Sequence, residues 1–317
     1  TVTVEGAGLD ASKTDYAATV NVSRNKSEYD STSTTTQAVG SSIVGANNVN
    51  IVATGGGQDS NIRAVGSTIA AGKGVNLTAD NQVSLQASKN TIEQQGRNNS
   101  SGQSVGVGFA GGSQNGFTIE LGVSKGQGRD QANGVSYNNT RVVGGQAVNI
   151  TSGGDLNLKG ATVEGKQVTA NVGGNLNIES LQDTSSARSK QSSSGVNLSL
   201  CIPPICYGIS TVSGNAARAK AEGDFQSVGE QSGIKAGDAG FKVNVKGDTD
   251  LKGGVIESTQ AAVDAKRNGF KTDGKLTLSD LENYSQSDAS GYSASGSVGT
   301  TVGDQSTTST KWPIGSR

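Results

Sequence analysis

The phrase GGDLNL at residues 153–158 returns as GGNLNI at 173–178, twenty residues further on. The stretch ahead of each copy keeps the same offset, Val148-Asn149-Ile150 against Val168-Thr169-Ala170. Apolar residues two apart put their side chains on one face of a short strand, and the Gly, Asn and Asp between them are turn residues. A second stretch, GSTIAAGKGVNLTADNQVSLQAS at 66–88, is built the same way around Ile69, Val75, Leu77, Val83 and Leu85. Twenty residues holding three short strands cannot bury an apolar face alone, so successive copies must stack. The expected fold is all-β: a right-handed parallel β-helix of about 20 residues per coil, each coil advancing about 4.8 Å.

A sandwich or barrel of antiparallel strands is the rival that also supplies many short strands. Leucine-rich repeats share the period but need a Leu and Asn ladder this chain lacks. The phrases make no i, i+3, i+4 stripe, and only 215–222 (NAARAKAE) and 260–268 (QAAVDAKRN) read as brief helices. With 47 Gly, 3 Pro and 4% aromatic residues, the interior must be thin and filled by Val, Ile, Leu and Ala. A net charge of −1, from 26 basic and 27 acidic residues scattered along the chain, leaves no electrostatic footprint for nucleic acid. No apolar run is long enough for a membrane helix, TVTVEG is no signal peptide, and the absence of Met marks a piece of a longer polypeptide.

A longer period interrupts the short one. Residues 91–109, 181–200 and 281–299 each run through a Ser-rich polar approach into alternating residues, with Gly102, Gly195 and Gly296 in equivalent places. The 317 residues therefore read as a single repeat segment with large units near 1–90, 91–180 and 181–280 and a partial unit at 281–317. The excursions, near 100–125 and 193–214, are predicted β-hairpins with arms of seven to nine residues. In the first, Val105, Val107 and Phe109 alternate with small residues, then Phe117, Ile119, Leu121 and Val123 do so after a Gly-rich turn.

In the second excursion, a loop at Pro203-Pro204 makes Ile202 face Ile205, Leu200 face Tyr207 and Leu198 face Ile209 on one side. Cys201 then faces Cys206 on the other, where a disulfide fits and implies an oxidising, exported location; a reduced pair in a wider loop is the alternative. A cis Pro204 suits a tip with two prolines. The apolar hairpin faces have two expected fates: packing against the flank of the coils at rest, or contact with a membrane or partner, since strand length and period match outer-membrane strands.

Catalytic chemistry is hard to find. The chain has no His, which removes Ser-His-Asp and Cys-His arrangements and His-bound zinc, and two Cys alone make no zinc site. GVGFAG at 106–111 has dinucleotide-motif spacing but is followed by strand, and GGGQDSNI at 55–62 reads as a loop. Asp248, Asp250 and Glu257 are the carboxylates that polysaccharide cleavage would need, yet the aromatic residues such clefts use are few, with one Trp, at position 312. No catalytic, metal or cofactor residue is assigned.

The run GGDLNLKGATVEGKQVTANVGGNLNIESLQDTSSARSKQSSS at 153–194 closely resembles the haemagglutinin repeats of the filamentous haemagglutinin family. It is most similar to the second repeat region of contact-dependent growth inhibition exoproteins, the two-partner-secreted effectors of Gram-negative bacteria. GSTIAAGKGVNLTA at 66–79 and NTRVVGGQAVNITSGGDLNLKGA fit the same repeat, and the resemblance covers most of residues 40–300. The insertion TGGGQDSNIRA and the CIPPIC tip depart from the pattern. The resemblance implies a non-catalytic stalk on a secreted, surface-exposed filament, exported through an outer-membrane transporter partner, with secretion, receptor-binding and toxin regions elsewhere on the parent exoprotein. It further implies association with the target cell's outer membrane during toxin delivery; an adhesin stalk that binds cell surfaces is the alternative.

Overall fold

A computed structural model describes residues 2–6, 16–111 and 114–301. The described chain is almost entirely strand, with one α-helix at Gln260–Asp264 and one 3-10 turn at Gly57–Asp59. Three sheets divide it: two parallel ones, of nine and six strands, and an antiparallel one of six. All-β architecture with parallel pairing is thus what the repeat phrases build.

The parallel sheets show why the phrases are copied. Leu156 and Leu158 lie in register beside Leu176 and Ile178, and on their other side beside Val83 and Leu85. In the wide sheet Val75, Val148 and Val168 form one column and Leu77, Ile150 and Ala170 the next. The aliphatic side chains of both sheets pack into one buried cluster, in which Leu77, Ile150, Leu156, Leu158 and Leu176 are fully buried. Each such Leu or Ile contributes about 1.5–3 kcal/mol by leaving water. Between the rungs, Asn177 donates through Nδ2 to Asn157 Oδ1 at 2.7 Å, extending the ladder through side-chain amides.

The glycines of GGD and GGN have a physical reason. The turns lie so close that a Cβ at Gly173 would run into the carbonyl oxygen of Gly153, and one at Gly153 into that of Asp80. Only glycine permits this approach of backbone to backbone.

Neighbours in the parallel sheets are twenty residues apart in places and 73 in others: Asn149 Nδ2 donates to Asn76 Oδ1 at 2.8 Å across the longer interval. The extra residues are the hairpin Ser88–Asn138, which leaves the sheets and returns beside its point of departure. A buried hydroxyl closes that root. Thr140 Oγ1 donates to the carbonyl of Gln86 at 2.6 Å and accepts from the Ser67 N–H at 3.1 Å. Ser232 does the same at the root of the second hairpin, donating to the Glu179 carbonyl at 2.8 Å and accepting from the Ala161 N–H at 3.1 Å.

Three expectations are corrected. Residues 215–222 are strand, because this run pairs residue by residue with Tyr284–Thr301 from Ile209 to Gln226, and tertiary pairing overrides the helix preference of Ala, Lys and Glu. Within 260–268 only Gln260–Asp264 is α-helical. The hairpin arms are also far longer than seven to nine residues: Ser88–Gly111 has 24 and Gln114–Asn138 has 25, because the Ser-rich approaches are themselves strand.

Candidate functional site

The arms pair with one another and not with the flank of the parallel sheets. Tyr16–Thr36 pairs with Ser88–Gly111, which pairs with Gln114–Asn138, which pairs with the outgoing arm of the strand Gln182–Val228. Its returning arm pairs with Tyr284–Thr301, so arms from separate hairpins share one antiparallel sheet. This overturns the expected packing of the apolar faces against the flank.

Cross-strand register gathers the candidate residues into rows. Val20, Val107, Ile119 and Leu200 are directly opposite one another, and Val22, Val105, Leu121 and Leu198 make the row beside them. Phe117 sits opposite Phe109, their rings edge to face at 5.3 Å between centroids. These rows stay in solvent: Val107 is 54% exposed, and Val105, Phe109, Phe117 and Leu121 are exposed with it. Ile119, Leu198, Leu200 and Ile209 are half-buried. Val20 and Val22, on the strand Tyr16–Thr36, belong to the same rows although sequence reasoning passed over them; their V-x-V alternation was the available signal.

The opposite face is small and polar. Gly106 lies between Asn21 and Glu120, and Gly122 between Ser104 and Asn197. A Cβ on Gly106 would collide with Asn21 Oδ1, and one on Gly122 with Ser104 and Asn197, so the glycines make room for their neighbours' polar side chains. Toward the hairpin tips the sheet therefore has one apolar and one polar face.

At the tip of the second hairpin Cys201 and Cys206 are joined by a disulfide, with Cα atoms 5.0 Å apart, and both are buried. The Pro203-Pro204 bond is cis. The expected two-residue reversal is replaced by a wider arrangement. Cys201 pairs opposite Thr118, and Cys206 to Gly208 continue along the same neighbour opposite Gly116 to Gln114. Ile202 to Ile205 thus loop out of the ladder, which two prolines without N–H groups cannot join. Ile202, Ile205 and Tyr207 are exposed there, and the chain reverses beyond Gly208.

The structure does not bring the candidate carboxylates together. Asp250 lies in the narrow parallel sheet and Glu257 in the wide one, while Asp248 Oδ1 accepts the Lys275 N–H at 2.7 Å in a turn. GVGFAG lies within the strand Ser88–Gly111, and Gly55 of GGGQDSNI donates to Asp80 Oδ2 at 2.6 Å in a loop. Trp312 lies outside the described residues. Among the described residues no three His, Cys, Asp or Glu gather as metal ligands, and no helix is long and apolar enough to cross a membrane. Glu179 in the narrow parallel sheet has a perturbed carboxyl. Partial burial raises its pKa, but hydrogen bonds and charge from Lys159, at 2.7 Å, and Lys252, at 3.3 Å, outweigh this and hold it below the ordinary range.

Residues 22–199 match the haemagglutinin repeat family. The chain is 39% identical over 269 residues to Toxin CdiA of Escherichia coli, an alignment covering 82% of this chain and 8% of that protein. It is 35% identical over 286 residues to Deoxyribonuclease CdiA of Dickeya dadantii, covering 88% of this chain and 8% of that one. With tRNA nuclease CdiA of Escherichia coli O6:K15:H31 it shares 37% identity over 309 residues, 96% of this chain and 9% of the relative. The chain thus spans less than a tenth of the length of these relatives, and no solved structure matches it. With repeat phrases, parallel columns and these similarities in agreement, the chain belongs to the haemagglutinin repeat family, as a repeat region of a CdiA-type protein.

Proposed function

We propose that this chain is a non-catalytic stalk segment of a secreted, surface-exposed contact-dependent inhibition protein, whose hairpin ends associate with the target cell's outer membrane during toxin delivery. The stalk is a right-handed parallel β-helix: each coil gives two strands to the wide parallel sheet and one to the narrow sheet, and the aliphatic columns run down its interior. Nuclease activity, named in some relatives, belongs on this reading to parts of the parent chain outside the segment. Export uses an outer-membrane transporter partner, and the disulfide suits the oxidising compartments on that route.

The observation that carries the reading is the exposed apolar face of the antiparallel sheet. Along the arm from Val123 to Phe117 it extends about 20 Å at 3.3 Å per residue, long enough to enter the apolar layer of a bilayer though shorter than a full outer-membrane strand. A face of this kind, left in water, marks an interaction site. Liposome flotation of the purified chain, compared with a variant in which Leu198, Leu200, Ile202 and Ile205 are changed to Ser, tests it. The variant should lose most of its vesicle binding; equal binding by both removes these residues from the contact.

A second reading, adhesion to a cell surface, is favoured by the exposed amide ladder, in which Asn76 Nδ2 donates to Asn50 Oδ1 at 2.6 Å beside Asn149. Repeated amides on a flat face suit weak, multiple contacts. Binding of the isolated chain to intact cells, in the absence of any receptor-binding region, would favour it.

A further inference from the structure

The cations scattered through the sequence are gathered by strand register. Arg97 lies directly opposite Arg129, and Arg129 directly opposite Lys190. With Arg218 and Lys220 from the returning arm, and Tyr292 opposite Arg218, they line one shallow concavity of about 640 Å³. No carboxylate lines it. Like charges directly opposite one another destabilise a sheet; Asp30, opposite Arg97, and Glu222, paired with Lys220 at 3.0 Å, offset only the margins of the row, and an added anion relieves Arg129 and Lys190 between them.

The row shares its face with the apolar rows, since Arg97 and Val105, and Arg129 and Val123, are an even number of residues apart on their strands. The adjoining concavity is lined by Val123, Val196, Val212 and Val298, with Lys125 at its margin. The carboxylates near the row are few. Asp30 is in register with Arg97, and Glu28 is held by Lys26. Glu222 lies beyond the row; its hydrogen bond to Lys220, then the charges of Lys220, Arg188 and Lys190, hold its carboxyl below the ordinary range.

We propose that the Arg97–Arg129–Lys190 row, with Arg218 and Lys220, binds the phosphates of anionic lipid headgroups, whose charge no choline ammonium offsets, so that the antiparallel sheet meets an anionic bilayer with this face and not with its Gly- and Ser-rich one. The inference rests on the membrane association proposed above and adds the lipid class and the orientation. A face that is apolar at one end and cationic further along matches the succession of acyl chain and phosphate at a bilayer surface. Tyr292 suits the same boundary, where an amphipathic ring rests at headgroup level. Guanidinium groups pair with phosphate oxygens through two hydrogen bonds at once.

The test is co-sedimentation of the 317-residue chain with vesicles of phosphatidylcholine alone and of phosphatidylcholine mixed with phosphatidylglycerol. The unchanged chain should bind the anionic vesicles more tightly. The variant Arg97→Gln/Arg129→Gln/Lys190→Gln should lose that preference by about a hundredfold, at roughly fivefold per cation, and bind pure phosphatidylcholine as before. Arg97→Lys/Arg129→Lys should keep the preference, which separates loss of charge from loss of folding. Lys242→Gln/Lys246→Gln/Lys275→Gln, exposed positions on the parallel part of the chain, should also keep it. Equal affinity of the unchanged chain for both vesicles, or equal losses in the two triple variants, overturns the phosphate assignment while leaving the membrane association standing. A chain that binds neither vesicle overturns both.

Discussion

The parallel sheets and the antiparallel sheet are made from the same chain by opposite means. In the central coils of the first, the inward-facing Val, Leu and Ile point at one another from two sheets and leave water; Leu158 is 0% exposed. In the second, equally apolar residues such as Val107 stand in solvent on one side of a single layer, which is held by backbone ladders and neighbouring strands. The first region is a folding unit. The second is a surface that the first can hold out, because burial in the parallel sheets supplies the stability that the arms do not.

Substitution should expose this difference, and the largest effect belongs to the core. Leu158→Ala should lower unfolding free energy by about 2–5 kcal/mol in chemical denaturation, while Val107→Ala should change it by no more than about 0.5 kcal/mol. Comparable losses at the two positions would mean that the antiparallel face is covered in the folded protein.

Opening the disulfide should have an intermediate and local effect. Cys201→Ser/Cys206→Ser removes a small ring worth about 2 kcal/mol by chain entropy. Hydrogen exchange should quicken between residues 198 and 209 and stay unchanged at Leu156 and Ile178. Loss of protection in the parallel sheets would show the two regions to be more strongly coupled than their packing indicates.

The smallest effect concerns Glu179, whose depressed pKa ties Lys159 to Lys252 on the parallel face. A lowered folded-state pKa contributes stability at pH values above the ordinary one, 4.5, and that contribution is lost as pH falls through the folded value. Because the group is only partly buried, screening by solvent keeps it under about 1 kcal/mol. Glu179→Gln should therefore lower stability at neutral pH by under about 1 kcal/mol and flatten the acid limb of a stability–pH curve, the two proteins converging as pH falls below 4.5.

How far each region could be read in advance follows from the same contrast. The columns through Leu156, Leu158, Leu176 and Ile178 were legible because stacking demands the same residue types at the same offset. The rows at Val105 and Phe117 were legible through their alternation. The Ser-rich approaches were not: a stretch such as 182–195 carries no apolar pattern of its own, and strands on either side hold it extended. The helix expected at 215–222 failed for that reason, with Ala, Lys and Glu obeying their neighbours. The cationic row was invisible because its members are tens of residues apart, and only antiparallel register sets Arg97 beside Arg129 and Lys190.

Thr140 and Ser232 fasten each excursion at its base, where the departing and returning segments touch. Nothing in that fastening measures how much chain lies beyond it. Loop lengths can therefore drift by insertion or deletion of residue pairs without shifting a single rung of the scaffold, and the outward reach of the arms is free to vary while the mast that bears them stays the same.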